Sequence, residues 1–506
     1  MLLYRRRVYL DNNATTPVAP EARRAICRVL RDCHGNPSSS YRVARRAALV
    51  LEDARDTLAR TINAAPGEIT FTGSASEANN QVIQSLAAHF PPDKRKIVSS
   101  PVEHASIMET LAYVATRGIE VVYCPVDRFG RMRLDRLAEL VDDGTFLVCA
   151  MRANNETGTL QDITAIAAIA HAHGALLLAD CVQALGKVPV DVRSLGADYA
   201  TFSAHKIHGP KGVGALWTRE GAPLFALIHG GHQERGLRAG TEGVHNLAGF
   251  AAALRNLPRL LAGADILRAR RDAFVAALRV MRPDLELHTP EADSLPNTAS
   301  VTFPGTSNAV LLSVLDFHGI AVSAGSACNT QLNTPSHVLS ALGLPEEMAR
   351  ATLRFSLSES TRPAGLRYTE RVLRRYFEGR LPQVAMVSPA QLDEDVLFSE
   401  KTFILDIRFG YERRMLKSLP GAHEAAFFGF RHYLHAVPRD RWVYVVCQTG
   451  INSPVVAFAL RAKGYPHVGF IATGLVGWRL AHSELYARLA GRDVVQLTPR
   501  RLGAAE

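Results

Sequence analysis

A repeated pattern of a short apolar run, a polar loop and a helical stretch fills the first half of the chain and restricts its fold more than any other feature. The apolar runs are EITFT, KIVSS, TFLVCAM, ALLLAD and DYATFS. Strands that alternate with helices are typical of right-handed crossovers and a largely parallel sheet. We therefore predict an α/β fold whose ligand site lies at the carboxyl ends of these strands.

Polar or small residues follow each of the five predicted strands, so we expect them to meet in one pocket. In chain order they are Gly73, Ser74, Ala75, Ser76, His104, Asn154, Asn155, Asp180, Gln183, Ser203, His205 and Lys206. Taken singly, a lysine is usually a surface charge and an aspartate is often a helix cap. Their joint position at strand ends is what predicts a functional site.

An amine, a carboxylate, an imidazole and a phosphate-sized turn together suggest pyridoxal phosphate. Lys206 would hold the cofactor's aldehyde as a Schiff base, and Asp180 would pair with the protonated pyridine nitrogen. The turn with Ala75 and Ser76 opens a helix, whose N-terminal amides and dipole would bind the phosphate. His104 would lie over the face of the ring.

From about Asn297 the pattern changes to that of a smaller α+β lobe, which a helix around residues 371–377 closes. The segment EGRLPQVAMVSPAQ then breaks the pattern, and TFILDIR, WVYVVCQTG and HVGFIATG predict three more buried strands. We expect a main unit at residues 1–380, a linker at 381–388 and a separate α/β domain at 389–506. Proline and glycine in the linker would allow the small domain to swing.

Composition and charge argue against several functional classes. The net charge is +10, but no RNA-binding module accompanies it, so direct nucleic-acid binding is not predicted. The seven cysteines form no C-x-x-C pair, and His205 and His208 have no carboxylate or cysteine nearby, so we predict no metal site. There is no apolar run of about 20 residues and no secretory h-region. We expect a cytoplasmic protein without membrane contact.

Residues 9–377 resemble the cysteine desulfurases, fold-type I pyridoxal-phosphate enzymes of the NifS/IscS-like group with a large parallel-sheet domain and a small α+β lobe. The matching motifs are YLDNNATTPV, HGNPSS, FTGSASEANN, VEHASI, NNETG, ADCVQALGK, SAHKIHGPKGVGAL, HGGHQERGLRAGT, SAGSACNT and LRFSLS. Ten motifs in the family's order make the resemblance specific. It implies a homodimer that acts on L-cysteine.

The resemblance also implies roles for individual residues. Asn155 and Gln183 would approach cofactor and substrate, while Ser203 and His205 would help to bind the phosphate. Thr241 would reach the phosphate of the neighbouring subunit. Arg354 would grip the substrate carboxylate, which suits its planar, permanently charged fork.

The chain departs from the family pattern at three positions. Ser76 stands where Thr is frequent, Tyr41 where a His is common, and Arg152 where a His often precedes the two asparagines. Ser76 keeps a hydroxyl, and the other two departures, Tyr41 and Arg152, affect only the fine positioning of the substrate.

Cys328 is the residue that predicts a desulfurase rather than a generic pyridoxal enzyme. It lies among small residues in SAGSACNT, and a thiolate on such a loop can attack a substrate sulfur and retain it as a persulfide. The cysteines in helical or strand patterns are interpreted as packing residues. These are Cys27, Cys33, Cys124, Cys149 and Cys181.

Residues 388–490 resemble a rhodanese. ILDIR, LPGAHEAAF and TGLVGW match motifs of that family, and CQTGINS would be its active loop, with Cys447 at the end of a strand. Amides pointing into such a loop form an anion nest that stabilises a thiolate or persulfide. Asn452 occupies a place where rhodaneses frequently have Arg, which weakens the case for free thiosulfate as donor.

The resulting hypothesis is a fused sulfur-transfer enzyme in which a persulfide formed on Cys328 passes to Cys447. The acceptor would be a partner protein or tRNA-modifying enzyme, with tRNA thiolation or cofactor sulfuration favoured over iron–sulfur cluster assembly. Two alternatives stay open. One is a selenocysteine lyase, and the other is a desulfurase whose rhodanese-like unit only docks a partner.

Overall fold

The structure is a computed structural model, and it describes residues 8–91, 93–325, 335–419, 421–425, 427 and 433–490. Cys328 lies outside the described residues, as do parts of the LPGAHEAAF segment.

The strands of the described residues form four sheets. In chain order they are β1 (Val8–Tyr9), β2 (Ile69–Thr72), β3 (Lys96–Ser99), β4 (Glu120–Tyr123), β5 (Thr145–Met151), β6 (Leu176–Asp180), β7 (Tyr199–Ser203), β8 (Gly214–Thr218), β9 (Glu286–Leu287), β10 (Thr298–Thr302), β11 (Ile320–Ala321), β12 (Thr352–Ser356), β13 (Ala385–Val387), β14 (Thr402–Asp406), β15 (His423–Glu424), β16 (Trp442–Val446) and β17 (Val468–Ile471).

Helices cover these sheets. They are α1 (Pro20–Asp32), α2 (Arg42–Ile62), α3 (Ala75–His89), α4 (Ala105–Ala115), α5 (Leu134–Leu140), α6 (Ile163–Ala172), α7 (Val192–Leu195), α8 (Val244–Leu254), α9 (Leu257–Ala262), α10 (Ala264–Met281), α11 (Asn308–Phe317), α12 (His337–Ala341), α13 (Glu346–Ala349), α14 (Pro363–Phe377), α15 (Glu394–Phe398), α16 (Gly410–Met415), α17 (Ser453–Ala462), α18 (Gly474–Ala481) and α19 (Ser483–Ala490).

The large sheet confirms the α/β fold predicted for the first half. Its strand order is β2-β8-β7-β6-β5-β3-β4, and every neighbouring pair is parallel except those that involve β8. All seven residues of β5 are buried. A central strand with helices on both faces takes such a continuous apolar run, because neither of its faces meets water.

The small lobe contains a three-stranded antiparallel sheet in the order β12-β10-β9 and the parallel pair β1-β11. Strand β11 of this pair is only two residues long. The N-terminal segment pairs with this lobe, because Asp11 forms a β-bridge with Ser356 of β12. The N-terminal segment therefore runs between the lobe and the large sheet.

A third unit follows α14 and is built on a five-stranded parallel sheet in the order β13-β17-β16-β14-β15. The three strands predicted there are β14, β16 and β17. The segment 381–388, expected to be a linker, contains the edge strand β13. Neither β13 nor β15 was predicted from the sequence. Both are only two or three residues long, which is too short to show the periodicity of a strand.

None of the described helices combines the length and the hydropathy that crossing a bilayer requires.

Candidate active site

The carboxyl ends of the central strands bring the predicted polar residues to one edge of the large sheet. Asp180 of β6 lies opposite Thr201 of β7, and Ser203 lies opposite Gly214 of β8. Gly214 in turn pairs with Thr72, the last residue of β2. Because β8 runs antiparallel, it is its first residue that reaches this edge.

The turn between β2 and α3 is shaped to receive a phosphate. Ser74 caps α3, and its Oγ accepts a hydrogen bond from the Glu77 amide at 3.1 Å. A Cβ added to Gly214 would lie 2.5 Å from the carbonyl carbon of Ser74 and 2.6 Å from the nitrogen of Ala75. Only a glycine lets β8 approach this turn, and the hydroxyl of the exposed Ser76 stays accessible.

Asp180 is buried at the end of β6 and is held by two donors. Its Oδ1 accepts from the Val182 amide at 2.9 Å, and its Oδ2 accepts from Nδ2 of Asn79 at 3.1 Å. The buried Asn79 also donates to Ser106 Oγ at 2.9 Å and accepts from Thr201 Oγ1 at 2.9 Å. These bonds fix the carboxylate in one orientation and keep it an acceptor.

Asn79 was not predicted as a site residue from the sequence. It lies four residues after Ala75, one turn into α3, so it shares a helix face with the start of the phosphate turn. Two adjacent asparagines in the first half of the helix that follows the phosphate turn were the available signal.

His104 is the N-cap of α4, and its Nδ1 accepts a hydrogen bond from the Ser106 amide at 3.1 Å. Burial lowers the pKa of the His104 imidazole, while the nearby Asp180 opposes this shift. The imidazole is therefore neutral near pH 7. With Nδ1 as acceptor, the ring proton is on Nε2.

Lys206 follows β7 in a 3-10 turn, Ala204–Lys206. Its Nζ donates to the main-chain carbonyls of Asn13 at 2.6 Å and Ala14 at 2.8 Å. The Asn13 carbonyl also accepts from Nε2 of Gln183 at 2.9 Å. The segment after β1 thus holds the amine and the predicted ligand-binding amide together.

Asn13 is the second residue that the sequence analysis missed. Its buried side chain donates to Thr298 Oγ1 at 2.8 Å and to the Asn155 carbonyl at 3.1 Å, and it accepts from Asn297 at 3.0 Å. A run of three polar residues, Asp-Asn-Asn, one residue after the end of β1 was the signal. Asn13 joins the small lobe to the large sheet beside Lys206.

His205 has Nδ1 3.2 Å from Thr15 Oγ1. Burial lowers the pKa of His205 to about 4, and the positive charge of Lys206 adds to the shift. His205 is thus a neutral hydrogen-bonding group at pH 7 and not a cation.

Arg354 of β12 is almost fully buried, with Nη2 2.8 Å from Asp11 Oδ1 and Nη1 2.9 Å from the Asn155 carbonyl. Its buried Nε has no hydrogen-bond partner among the described residues. A guanidinium with one donor left over can take a further acceptor such as a substrate carboxylate, with Asp11 holding its plane in place.

The residues at this edge fit pyridoxal phosphate. An amine, a buried carboxylate aligned by Asn79 and a helix N-terminus approached by Gly214 provide partners for an aldehyde, a pyridine nitrogen and a phosphate. The roles of the single residues stay predictions.

The described residues do not place Thr241 or Cys328 in this cluster. Thr241 is exposed, and its contact with a neighbouring subunit stays a prediction. Cys328 lies outside the described residues, although Ser323 pairs with Arg354 five positions before it.

The other cysteines mostly follow the packing interpretation. Cys124, Cys149 and Cys181 are buried, and burial raises the pKa of each thiol, to about 11 for Cys124, so they are poor nucleophiles near pH 7. Cys33 is half-buried. For Cys27 the interpretation is wrong, because it lies exposed on α1, an amphipathic helix whose outer face meets solvent.

Cys447 ends β16 in the third unit, and its sulfur is surrounded by main-chain amides. Sγ accepts from Gly450 at 3.2 Å, from Asn452 at 3.3 Å and from Ser453 at 3.4 Å. Ser453 is also the first residue of α17, so the helix N-terminus points at the sulfur. Three donors and a helix dipole favour negative charge on Sγ.

Glycine is required to close the loop around Cys447. Gly450 has φ +86°, and a Cβ there would collide with the carbonyl of Ala472. Beneath the loop, the buried Arg408 donates to Asp406 at 2.8 Å and to Gln448 Oε1 at 3.2 Å. The hydrogen bond to Gln448 ties the residue after Cys447 to Arg408, which follows the neighbouring strand β14.

Within the ranges that the structure describes, no group of three His, Cys, Asp or Glu side chains is arranged to hold a metal ion.

Most of the chain is similar to known proteins. The family model for class-V aminotransferases matches residues 8–366. A cysteine desulfurase IscS of Dictyoglomus turgidum is 39% identical over 376 residues, covering 74% of this chain and 95% of that protein. A cysteine desulfurase of Cereibacter sphaeroides is 41% identical over 362 residues, covering 71% of this chain and 92% of that protein.

Two solved structures are similar as well. A NifS-like protein superimposes with a TM-score of 0.70 at 37% identity and covers 74% of this chain and 100% of its own. SspA in complex with cysteine has a TM-score of 0.63 at 33% identity, with 69% and 99% covered. The sheet β13–β17 lies beyond the residues that the family model matches.

Proposed function

Because the chain belongs to the cysteine desulfurases of the class-V aminotransferase family, we propose that it converts L-cysteine to L-alanine and passes the sulfur from Cys328 to Cys447. Enzymes of this family depend on pyridoxal phosphate, and so does this chain. The single observation that carries the first part is the sheet edge at which Lys206, Asp180 and the α3 N-terminus meet.

When bound, pyridoxal phosphate supplies an electron sink in conjugation with the amino group of the substrate. Lys206 would hold its aldehyde carbon, Asp180 its ring nitrogen and the turn before α3 its phosphate. Arg354 binds the carboxylate of L-cysteine through its free Nε, with Asp11 and the Asn155 carbonyl keeping the guanidinium plane fixed. The substrate is thereby oriented from both ends.

The sulfur step consumes one thiol and produces one persulfide. The Cys328 thiolate attacks the sulfur of L-cysteine, and a sulfur–sulfur bond forms while the carbon–sulfur bond breaks. The electron pair of the broken bond stays with carbon, which takes up a proton. L-cysteine and the Cys328 thiol are thus converted to L-alanine and a Cys328 persulfide, without a further oxidant or reductant.

Transfer to Cys447 is a thiol exchange. The Cys447 thiolate attacks the outer sulfur of the Cys328 persulfide, the existing sulfur–sulfur bond breaks, and Cys328 leaves as a thiolate. The three amides around Sγ of Cys447 support this step, because they stabilise both the attacking thiolate and the persulfide that results. A rhodanese-like activity of the third unit rests on this nest.

Labelling with L-cysteine that carries radioactive sulfur tests both steps. Wild type should carry label on Cys328 and Cys447, Cys447→Ala on Cys328 alone, and Cys328→Ala on neither. Lys206→Ala should form no alanine. Cys27→Ala is the matched control, because Cys27 is exposed and remote in sequence from both active loops, and it should label as wild type does.

The outcomes separate the proposal from its alternatives. Label that never reaches Cys447 in wild type, although alanine forms, identifies the third unit as a docking module. Label on Cys447 in Cys328→Ala contradicts the order of transfer. Preferred turnover of selenocysteine over L-cysteine would identify a selenocysteine lyase. Supplying purified tRNA-thiolation or cofactor-sulfuration enzymes to the labelled protein tests the proposed acceptors.

A further inference from the structure

Lys187 is a second lysine beside Lys206, and the proposed function gives it no role. It ends the ADCVQALGK motif, four residues after Gln183, and its Nζ donates a hydrogen bond to Oε1 of Gln183. Burial lowers the pKa of the Lys187 amine well below its usual value, and the positive charges of Lys206 and Arg354 add to this shift. Both the charged and the uncharged amine carry N–H donors, so either form can hold the amide oxygen.

The backbone turn after β6 brings Lys187 to this position. The Lys187 amide donates to the Ala184 carbonyl at 3.0 Å. Gly186 has φ +75°, and a Cβ there would lie 2.7 Å from a side-chain carbon of α9 and 3.0 Å from Cγ2 of Ile207. Glycine therefore lets the turn pass close to Ile207, the residue that follows Lys206.

Lys187 and Lys206 both line one small cavity of about 60 Å3, together with Asn12 and Asn297. A cavity of this volume holds about two water molecules, since a water occupies about 30 Å3 in the liquid. It is too small for a pyridine ring with a phosphate, and Asp180 does not line it. Lys187 is thus placed to act through a neighbouring side chain rather than by touching the cofactor.

That neighbour is the buried amide of Gln183, which is held at both of its ends. Its Nε2 donates to the Asn13 carbonyl at 2.9 Å, and its Oε1 accepts from Lys187. A carbonyl can only accept, so the nitrogen end of the amide has to face Asn13. The same carbonyl accepts from Lys206 Nζ at 2.6 Å. The second hydrogen on Nε2 is therefore held close to the Lys206 amine.

We propose that Lys187 is a positioning residue of the cofactor site, which holds the Gln183 amide so that its N–H group binds the cofactor beside Lys206. This inference rests on the proposed function, because it assumes that Lys206 holds the aldehyde carbon. The cofactor carries an oxygen on the ring carbon next to its aldehyde, so a donor held beside the Lys206 amine can bind that oxygen. Without Lys187, the buried Oε1 of Gln183 loses a donor, and the amide can turn about its remaining contact.

A donor on this ring oxygen has an effect that can be measured apart from turnover. The oxygen is negatively charged and attracts the proton on the nitrogen that joins Lys206 to the cofactor. A hydrogen bond to the oxygen weakens this attraction, so the nitrogen loses its proton at a lower pH. The visible absorbance of the holoenzyme changes with this proton. Its pH midpoint therefore shows whether the Gln183 amide is in place.

A double-mutant cycle of Lys187→Met and Gln183→Met tests the proposal. The pH midpoint is measured for the holoenzymes of wild type, both single variants and the double variant, and each apoprotein is titrated with pyridoxal phosphate. We expect Lys187→Met to bind the cofactor more weakly and to raise the midpoint by about one pH unit, as expected for a weakened hydrogen bond to a charged group. In the Gln183→Met background, Lys187→Met should cause no further shift. Lys463→Met is the matched control, because Lys463 is an exposed lysine of the third unit, and it should titrate as wild type does.

The cycle separates positioning from a direct effect of the Lys187 charge. Other titratable and charged groups lie around Lys206 and are present in all four proteins of the cycle. They are Asp180, His104, His205 and Arg354. If Lys187→Met shifts the midpoint as far without Gln183 as with it, Lys187 acts by its charge and the positioning role is wrong.

The outcomes also distinguish this inference from the proposed function. If the wild-type apoprotein gives no visible band with pyridoxal phosphate, the proposed function itself fails. If wild type gives the band and Lys187→Met has the midpoint and cofactor affinity of Lys463→Met, only the positioning role is overturned. A thermal melt of each apoprotein shows whether it is folded. Lys187→Leu, which also lacks a donor, replaces Lys187→Met in the cycle if that variant does not fold.

Discussion

Replacing Gly214 by alanine tests whether the close approach of β8 to the turn before α3 builds the phosphate site. The added Cβ would lie 2.5 Å from the carbonyl carbon of Ser74 and 2.6 Å from the nitrogen of Ala75, where ordinary contacts begin at 3.4 Å. Both neighbours are main-chain atoms, so the turn has to move by nearly 1 Å. Overpacking of this kind costs about 1–3 kcal/mol.

If that cost falls on the cofactor-bound form, the dissociation constant of pyridoxal phosphate rises between about fivefold and a hundredfold, since 1.4 kcal/mol is a factor of ten. Titration of the apoprotein with pyridoxal phosphate, followed by absorbance, measures this, and a thermal melt of the apoprotein shows whether the fold is intact. Gly67→Ala is the matched control, because a Cβ at Gly67 meets nothing within 4 Å. Equal affinities for Gly214→Ala and Gly67→Ala, with both apoproteins folded, would refute the reasoning.

Three further substitutions address the rest of the site. Asn79→Ala removes a donor to Asp180. We expect turnover to fall by about tenfold or more, since a buried hydrogen bond to a charged group contributes about 1.5–3 kcal/mol. Cofactor titration and the rate of alanine formation measure the effect, and a cofactor affinity and a rate equal to those of wild type would contradict the prediction. Burial raises the pKa of Glu103 to about 8. An unfolded chain loses this proton near pH 4.5 while the folded chain keeps it. The free energy of unfolding should therefore fall between pH 4.5 and 8 by an amount on the order of a few kcal/mol. In Glu103→Gln, denaturant unfolding at successive pH values should not show this decrease in the free energy of unfolding. Arg354→Lys cannot hold Asp11 and a substrate carboxylate with one planar fork, so KM for L-cysteine should rise by roughly tenfold, and a KM equal to that of wild type would remove Arg354 from the substrate site.

Five of the seven strands of the large sheet could be predicted, because each is a short apolar run followed by a polar loop, whereas β4 and the antiparallel β8 were not predicted. Asp180 and Ser203, which end two of the predicted apolar runs, are the last residues of β6 and β7. The short edge strands β13 and β15 were not predicted, because they form by pairing with a neighbouring strand and are too short to show a strand pattern of their own. Cys27 shows the limit of pattern alone, because an amphipathic helix has an outer face as well as an inner one.

The sequence by itself determined which chemical groups the chain carries and that they follow parallel strands, because residue type and strand order along the chain are local properties. Only the tertiary structure decided which groups touch. Asn13 binds the Lys206 amine from a position 193 residues earlier, and Asp11 pairs with Arg354 from 343 residues away. The packing of Phe317 on Phe458, which turns the Cys447 loop toward the small lobe, is likewise a contact between two units. Such contacts depend on how separate apolar surfaces pack together, and no local pattern in the chain specifies that.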